Sequence, residues 1–418
     1  MIDATMTRKM EEATRLTRAG KLHEAMAVLR GAMPEATSQG MGDEMQADPG
    51  RAGTPRMGST FEGTCRVMDG EVPESRSASD PGGDIGLSPA WRDKWRQLRE
   101  SVVPLEPARG IDEAAEPGAF TAGRCTHHAG TRDYKLYLPS GYHGQALPLV
   151  VMLHGCTQTP DDFAVGTNMN RLAEEQLCCV LYPAQPVTAN HSKCWNWFRA
   201  EDQQREGGEP AILAAMTRQV IDTYDLDASR VYVAGLSAGG AMATTLAMTY
   251  PDLYAAVGVH SGLPHGVAQS LPDALGAMRG GTGPLGGGRG RASGWASEVP
   301  AIIFHGDHDT TVHPSNAQRV AAQYAASRRA SESARSGAGS ARVTVEQGRV
   351  VNGHAYTRTT HHDAEGEPRL EQWRVTGAGH AWSGGSAQGS YTDPRGPDAG
   401  KEMLRFFYRH RQDGRSVS

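Results

Sequence analysis

RVYVAGLSAGGAMATTLAMTY, residues 230–250, decides how the fold is read. Arg230 to Gly235 is a short apolar run of the kind that forms a buried strand. Gly239 to Tyr250 follows with the pattern of a helix. Between them lies Gly235-Leu236-Ser237-Ala238-Gly239, a Gly-x-Ser-x-Gly placed between strand and helix. That spacing has a physical cause. A serine on a tight, strained turn needs small neighbours two before and two after, where other backbone comes close. The turn lifts the hydroxyl out of the sheet, and the helix start supplies a dipole that favours developing negative charge. A capping serine in an ordinary glycine-rich turn has the same bare pattern. The flanking strand and helix favour the nucleophile.

The alternation continues outward. Pro148–His154, Cys179–Tyr182, Ala255–His260, Pro300–His305 and Glu371–Thr376 read as strands, and Arg132–Tyr137 alternates like an antiparallel one. Helices are expected at Asp161–Gln176, Ala211–Tyr224 and Lys401–His410. Strands separated by helices predict an α/β fold, a mainly parallel sheet with helices on both faces. The catalytic domain is placed at 118–410, with glycine-rich surface insertions at 280–297 and 327–341 and a tail at 411–418. Residues 1–34 read as a short helical segment, 35–89 as a flexible low-complexity linker, and 90–117 as a helix and lead-in.

The 418 residues carry a net charge of −5 with both signs interspersed. No basic stripe marks a nucleic-acid partner. No apolar run approaches the ~18 residues that span a bilayer. The first twenty residues lack the apolar core of a secretory leader, which makes an intracellular location the default expectation. The six cysteines form no CxxC pair and no zinc-spaced cluster with histidine. Neither a metal nor an organic cofactor is expected.

A serine needs a base, and in this arrangement the acid and then the histidine follow it along the chain. IIFHGDHDTTV ends a strand in a loop carrying Asp307 and Asp309. WRVTGAGHAWSGG does the same with His380. Both loops leave the sheet at the edge where Ser237 sits, the edge at which open α/β sheets bind ligands. Asp309 is preferred to Asp307, which follows Gly306 directly and reads as a turn residue. An oxyanion hole is expected from the Ala238 and Cys156 N–H groups, with His154-Gly155-Cys156 as the second loop; a plain strand-ending turn is the alternative. Trp195, Asn196 and Trp197 either wall a substrate cleft or form a core cluster under a loop. Trp382, two residues after His380, is expected in the cleft.

Five motifs occur in order: VVMLHGCTQTPDDFA at 150–164, CWNWF at 194–198, GLSAGGAMA at 235–243, FHGDHDTTVHP at 304–314 and GAGHAWSGG at 377–385. Together they resemble the bacterial polyhydroxybutyrate depolymerase esterases of type 1 catalytic order, relatives of feruloyl and acetylxylan esterases. The resemblance covers about 118–410. It implies an α/β-hydrolase fold, His154 as the oxyanion-loop histidine, and Ser237, Asp309 and His380 as the triad of a serine esterase acting on short-chain hydroxyalkanoate-type esters. It also implies a Cys156–Cys194 disulfide and an extracellular setting, which conflicts with the missing leader. No polymer-binding domain is read here, so oligomers, amorphous polymer or other short acyl esters are expected rather than crystalline polymer. Feruloyl or acetylxylan ester hydrolysis and acyl transfer use the same triad and stand as alternatives. A non-catalytic binding protein on this fold is the remote one.

Overall fold

The computed structural model describes residues 118–280, 298–334 and 342–412. The expected segments 1–34, 35–89 and 90–117 lie outside them, as do most of the first insertion and most of the tail.

Ten strands form one sheet: β1 (Ala119–His127), β2 (Gly130–Leu138), β3 (Leu149–Leu153), β4 (Cys179–Pro183), β5 (Val231–Leu236), β6 (Ala256–His260), β7 (Ala301–Gly306), β8 (Val343–Arg349), β9 (Ala355–His362) and β10 (Pro368–Val375). Their order is β1-β2-β4-β3-β5-β6-β7-β10-β9-β8. The centre, β4 to β10, is parallel. Antiparallel hairpins close both flanks.

Strands β3 to β7 are short and wholly buried because helices cover both faces. Leu149, Val151 and Leu153 of β3 point into one apolar cluster; Val150 and Met152 point into the other. The first cluster is shared with α3 (Gly208–Tyr224), α4 (Ala238–Thr249), α5 (Leu271–Met278) and α6 (Ser315–Ala334). The second is shared with α1 (Pro160–Thr167), α2 (Met169–Gln176) and α7 (Ala399–Phe407). Each fully buried Val or Leu contributes about 1.5–3 kcal/mol.

Three expectations change. The helix expected at Asp161–Gln176 is two helices, because Asn168 takes a left-handed conformation (φ 55°) that ends the first. The insertion expected at 327–341 begins inside α6, whose helix runs to Ala334. Strands β1, β8 and β9 were not foreseen: β1 and β8 are mostly exposed edges and carry no apolar run.

Register aligns the working edge. Leu153 lies opposite Gly235, Leu236 opposite His260, and Gly306 opposite Val375. The carboxyl ends of β3, β5, β6, β7 and β10 therefore finish near one level, and their loops share one rim.

Candidate active site

Ser237 sits between β5 and α4 with φ 58° and ψ −117°. A serine pays for this conformation only where the surroundings impose it. They do: its N–H donates to the His260 carbonyl at 2.9 Å. The glycines are demanded by close backbone. A Cβ on Gly235 would lie 2.4 Å from Gly239 C and O, and one on Gly239 would lie 2.0 Å from Leu153 O. Ala238 opens α4, and the first N–H groups of a helix have no acceptor within it.

Asp309 follows β7 and is buried. Its Oδ1 accepts the N–H groups of Thr311 and Val312, both at 2.9 Å. Its Oδ2 lies 2.7 Å from His380 Nδ1 and 3.3 Å from His305 Nε2. Burial alone would raise the carboxyl; the hydrogen bonds from His305 and His380 outweigh it and hold the group well below the usual carboxylate range. An ionised Asp309 makes Nδ1 of His380 the donor, which fixes the tautomer and leaves Nε2 free to accept a proton. Asp307 is elsewhere occupied. Its Oδ1 accepts the Gly377 N–H at 2.7 Å and anchors the start of the His380 loop.

The loop after β3 is held from several sides. The Gly155 N–H donates to Gln158 Oε1 at 2.8 Å and the Thr157 N–H to Ser192 O at 2.7 Å. Among the described residues, no acceptor faces the Cys156 N–H between them. Cys156 is joined to Cys194 by a disulfide, the pairing the resemblance implied. The His154 ring is a strut. Its Nε2 accepts the Gln185 N–H at 3.2 Å, so Nδ1 carries the proton and donates to Gly155 O at 2.8 Å. Burial pushes it down to about 4 and keeps it neutral. His154 was grouped with the oxyanion donors. With both nitrogens bonded and the ring buried, it orients that loop and does not face the site.

The expected cleft residues also move inward. Trp195 is fully buried and its Nε1–H donates to His154 O at 3.1 Å. Asn196 is buried against Glu209, to which its N–H and Nδ2 both donate at 2.7 Å. Trp197 packs edge-on against Phe198. Trp382 is 1% exposed and stacks on His260, ring centroids 5.0 Å apart. All four are buried among protein partners, which leaves them inside the core that carries the loops.

His260 is the residue the sequence reading missed. Besides holding Ser237 through its carbonyl, it accepts the Ser383 N–H at Nε2, 3.0 Å away. Burial pushes its ring down to about 3, so it stays neutral. The available signal was its place as the last residue of β6, at the same edge as Ser237.

Comparison with known sequences decides the kinship. The profile of the family described as "Esterase PHB depolymerase" matches residues 132–347. This chain belongs to that family. Within curated sequences, members of wider kin include poly(3-hydroxyalkanoate) depolymerase C of Paucimonas lemoignei, 34% identical over 250 residues, 58% of this chain and 57% of that protein. A probable acetylxylan esterase A of Aspergillus fumigatus is 30% identical over 236 residues, 51% of this chain and 62% of that protein. The matches thus span little more than half of each relative. Among solved structures, an acetyl xylan esterase from Aspergillus awamori superposes with a TM-score of 0.52 at 22% identity, over 69% of this chain and 99% of that one. That likeness supports the α/β-hydrolase fold.

Proposed function

We propose that this chain is a carboxylic ester hydrolase with Ser237 as nucleophile, His380 as general base and Asp309 as the acid that orients it, working within a catalytic domain at 118–410. The observation that carries the reading is the 2.7 Å contact between His380 Nδ1 and the buried Asp309 carboxylate, at the rim where the Ser237 turn also ends. His380 Nε2 takes the Ser237 proton as Oγ attacks the ester carbonyl. The Ala238 and Cys156 N–H groups bind the oxyanion, each contributing about 2.7–4 kcal/mol. Collapse releases the alcohol, which takes the proton from His380. Water then attacks the acyl-enzyme by the same route, freeing the acid and Ser237.

The substrate proposed is a short-chain hydroxyalkanoate-type ester. Acetylated sugar esters are the second reading, favoured by the acetylxylan esterase resemblance. Both use one chemistry. Ser237→Ala is expected to abolish hydrolysis of p-nitrophenyl butyrate without lowering the melting temperature. Undiminished turnover by that variant would refute the assignment. Parallel assays on hydroxybutyrate trimer and acetylated xylo-oligosaccharide separate the two substrate classes.

A further inference from the structure

Ten non-glycine residues among those described have positive φ. Three are helix C-caps, Asn168, Leu177 and Asp225, where the left-handed conformation is routine. Asn352 lies in the turn between β8 and β9, and Glu206 in the turn that leads directly into α3. The other five, Thr157, Lys193, Ser237, Ser261 and Tyr391, fall in the loops that leave β3, β4, β5, β6 and β10. That strain is therefore concentrated on the rim of the proposed site, as backbone strain in functional regions tends to be. For Ser237 the cause is already given. Thr157 and Tyr391 are a β-branched and an aromatic residue at φ 67° and 53°, which such side chains seldom adopt.

These two meet. Tyr391 Oη lies 3.4 Å from Thr157 Oγ1, and Thr157 adjoins Cys156, the proposed oxyanion donor. Tyr391 is 41% exposed, the one exposed Phe, Tyr or Trp among the described residues. Its backbone is fixed from both sides. The Tyr391 carbonyl accepts the Trp382 N–H at 2.7 Å, two residues beyond His380. Neighbouring Ser390 accepts from Gln158 at its carbonyl (3.0 Å) and donates its N–H to Asp162 (2.9 Å). These bonds already tie the loops together. A contact of 3.4 Å between hydroxyls adds little to them. Neither the exposure of the ring nor its strained backbone is explained by latching.

We propose that Tyr391, with Thr157 beside it, forms a second substrate subsite that grips the repeat unit next to the scissile ester in an oligomeric hydroxyalkanoate. The phenol supplies a rigid apolar face for the methyl and methylene groups of that unit. This rests on the esterase reading above, and it takes over the role that sequence analysis gave to the buried tryptophans.

The test compares kcat/KM for a 3-hydroxybutyrate trimer methyl ester with that for methyl 3-hydroxybutyrate, in wild type, Tyr391→Gly and Tyr391→Phe. Glycine removes the ring and also relieves the positive φ, so the variant is expected to fold. The trimer-to-monomer ratio is expected to fall about tenfold in Tyr391→Gly, the loss of a partly buried ring contact, and to stay within about threefold of wild type in Tyr391→Phe. An unchanged ratio in Tyr391→Gly overturns the subsite. So does an equal loss in Tyr391→Phe, which would mark a hydroxyl latch, or a wild-type protein that cleaves the monomer but not the trimer. Failure to cleave either ester, with Ser237→Ala indistinguishable from wild type, would instead sink the hydrolase reading beneath it.

Discussion

His260 holds Ser237 in place without touching its hydroxyl: the His260 carbonyl accepts the Ser237 N–H at 2.9 Å, and the same residue's Nε2 accepts the Ser383 N–H at 3.0 Å. One buried residue at the end of β6 thus joins the serine turn, through its carbonyl, to the loop that carries His380, through its ring. His260→Leu keeps the carbonyl and much of the packing between Phe304 and Trp382 but leaves the Ser383 N–H without its acceptor. The expected cost is about 1–3 kcal/mol of stability, read by chemical denaturation. A fall in kcat larger than the fall in folded fraction is expected with it, because the His380 loop loses an anchor.

Buried neutral histidines make the fold acid-sensitive. Burial pushes His154 and His265 down to about 4, and His260 and His410 to about 3, from an ordinary 6.5. A histidine whose folded value is depressed is protonated first in the unfolded chain. Its stabilising effect is complete above about pH 6.5 and is lost as pH falls toward 4 and 3. Asp309, also depressed, adds to the loss below the carboxylate range. Asp202 opposes it: burial, then the neighbouring Glu209, raise it to about 7, so its contribution is lost as pH rises. Asp398, raised by burial, acts in the same sense as Asp202; four histidines outweigh the two aspartates. The melting temperature is expected to drop steadily between pH 6.5 and 4; a flat profile over that interval would contradict the buried, neutral assignments.

The Cys156–Cys194 disulfide closes a sequence separation of 38 residues beside a proposed oxyanion donor. Loops of that size are stabilised by roughly 3–4 kcal/mol on the chain-entropy account. Replacing both cysteines by serine is expected to lower the melting temperature. It should also reduce kcat by about tenfold or more, since removing an oxyanion donor outright costs about 10²–10³. Loss of stability with kcat intact would mean that the disulfide is not what positions the residue 156 N–H for the reaction.

The parallel centre of the sheet was legible because strands buried on both faces must be apolar at every position, as Leu149–Leu153 and Val231–Leu236 are. The flanks were not. In β8, Val343 and Val345 are exposed and the intervening residues polar, so no face is marked as inner. Ser237, Asp309 and His380 stood out because their loops need local glycine, or a short acidic turn, directly after a strand. The supporting roles of His260, His154 and Trp195 did not. They come from partners such as Gln185 to His154, Trp195 to His154 and Ser383 to His260, 31, 41 and 123 residues apart, and spacing along the chain carries no sign of such contacts. Tyr391 escaped for a related reason: its significance lies in a backbone angle and an exposure, neither of which a residue type declares.

The two acidic residues after β7 offer the sharpest separation of roles. Asp309 meets the base directly, at 2.7 Å from His380 Nδ1, whereas Asp307 accepts the Gly377 N–H at the start of the same loop and faces the exposed His308 ring. Replacing Asp309 by Asn presents an amide that can donate to His380 Nδ1, favouring the tautomer whose Nε2 carries the proton and cannot accept another. Turnover is expected to fall by about ten-thousand-fold, as when the wrong tautomer is imposed on such a base. Asp307→Asn retains an oxygen acceptor for Gly377 and is expected to keep kcat within about tenfold of wild type. Steady-state kinetics on p-nitrophenyl butyrate, with folding checked by circular dichroism, decide between them. If Asp307→Asn proved the more damaging, the observed contact between Asp309 and His380 would be a structural pairing and the acid of the site would have to be reassigned.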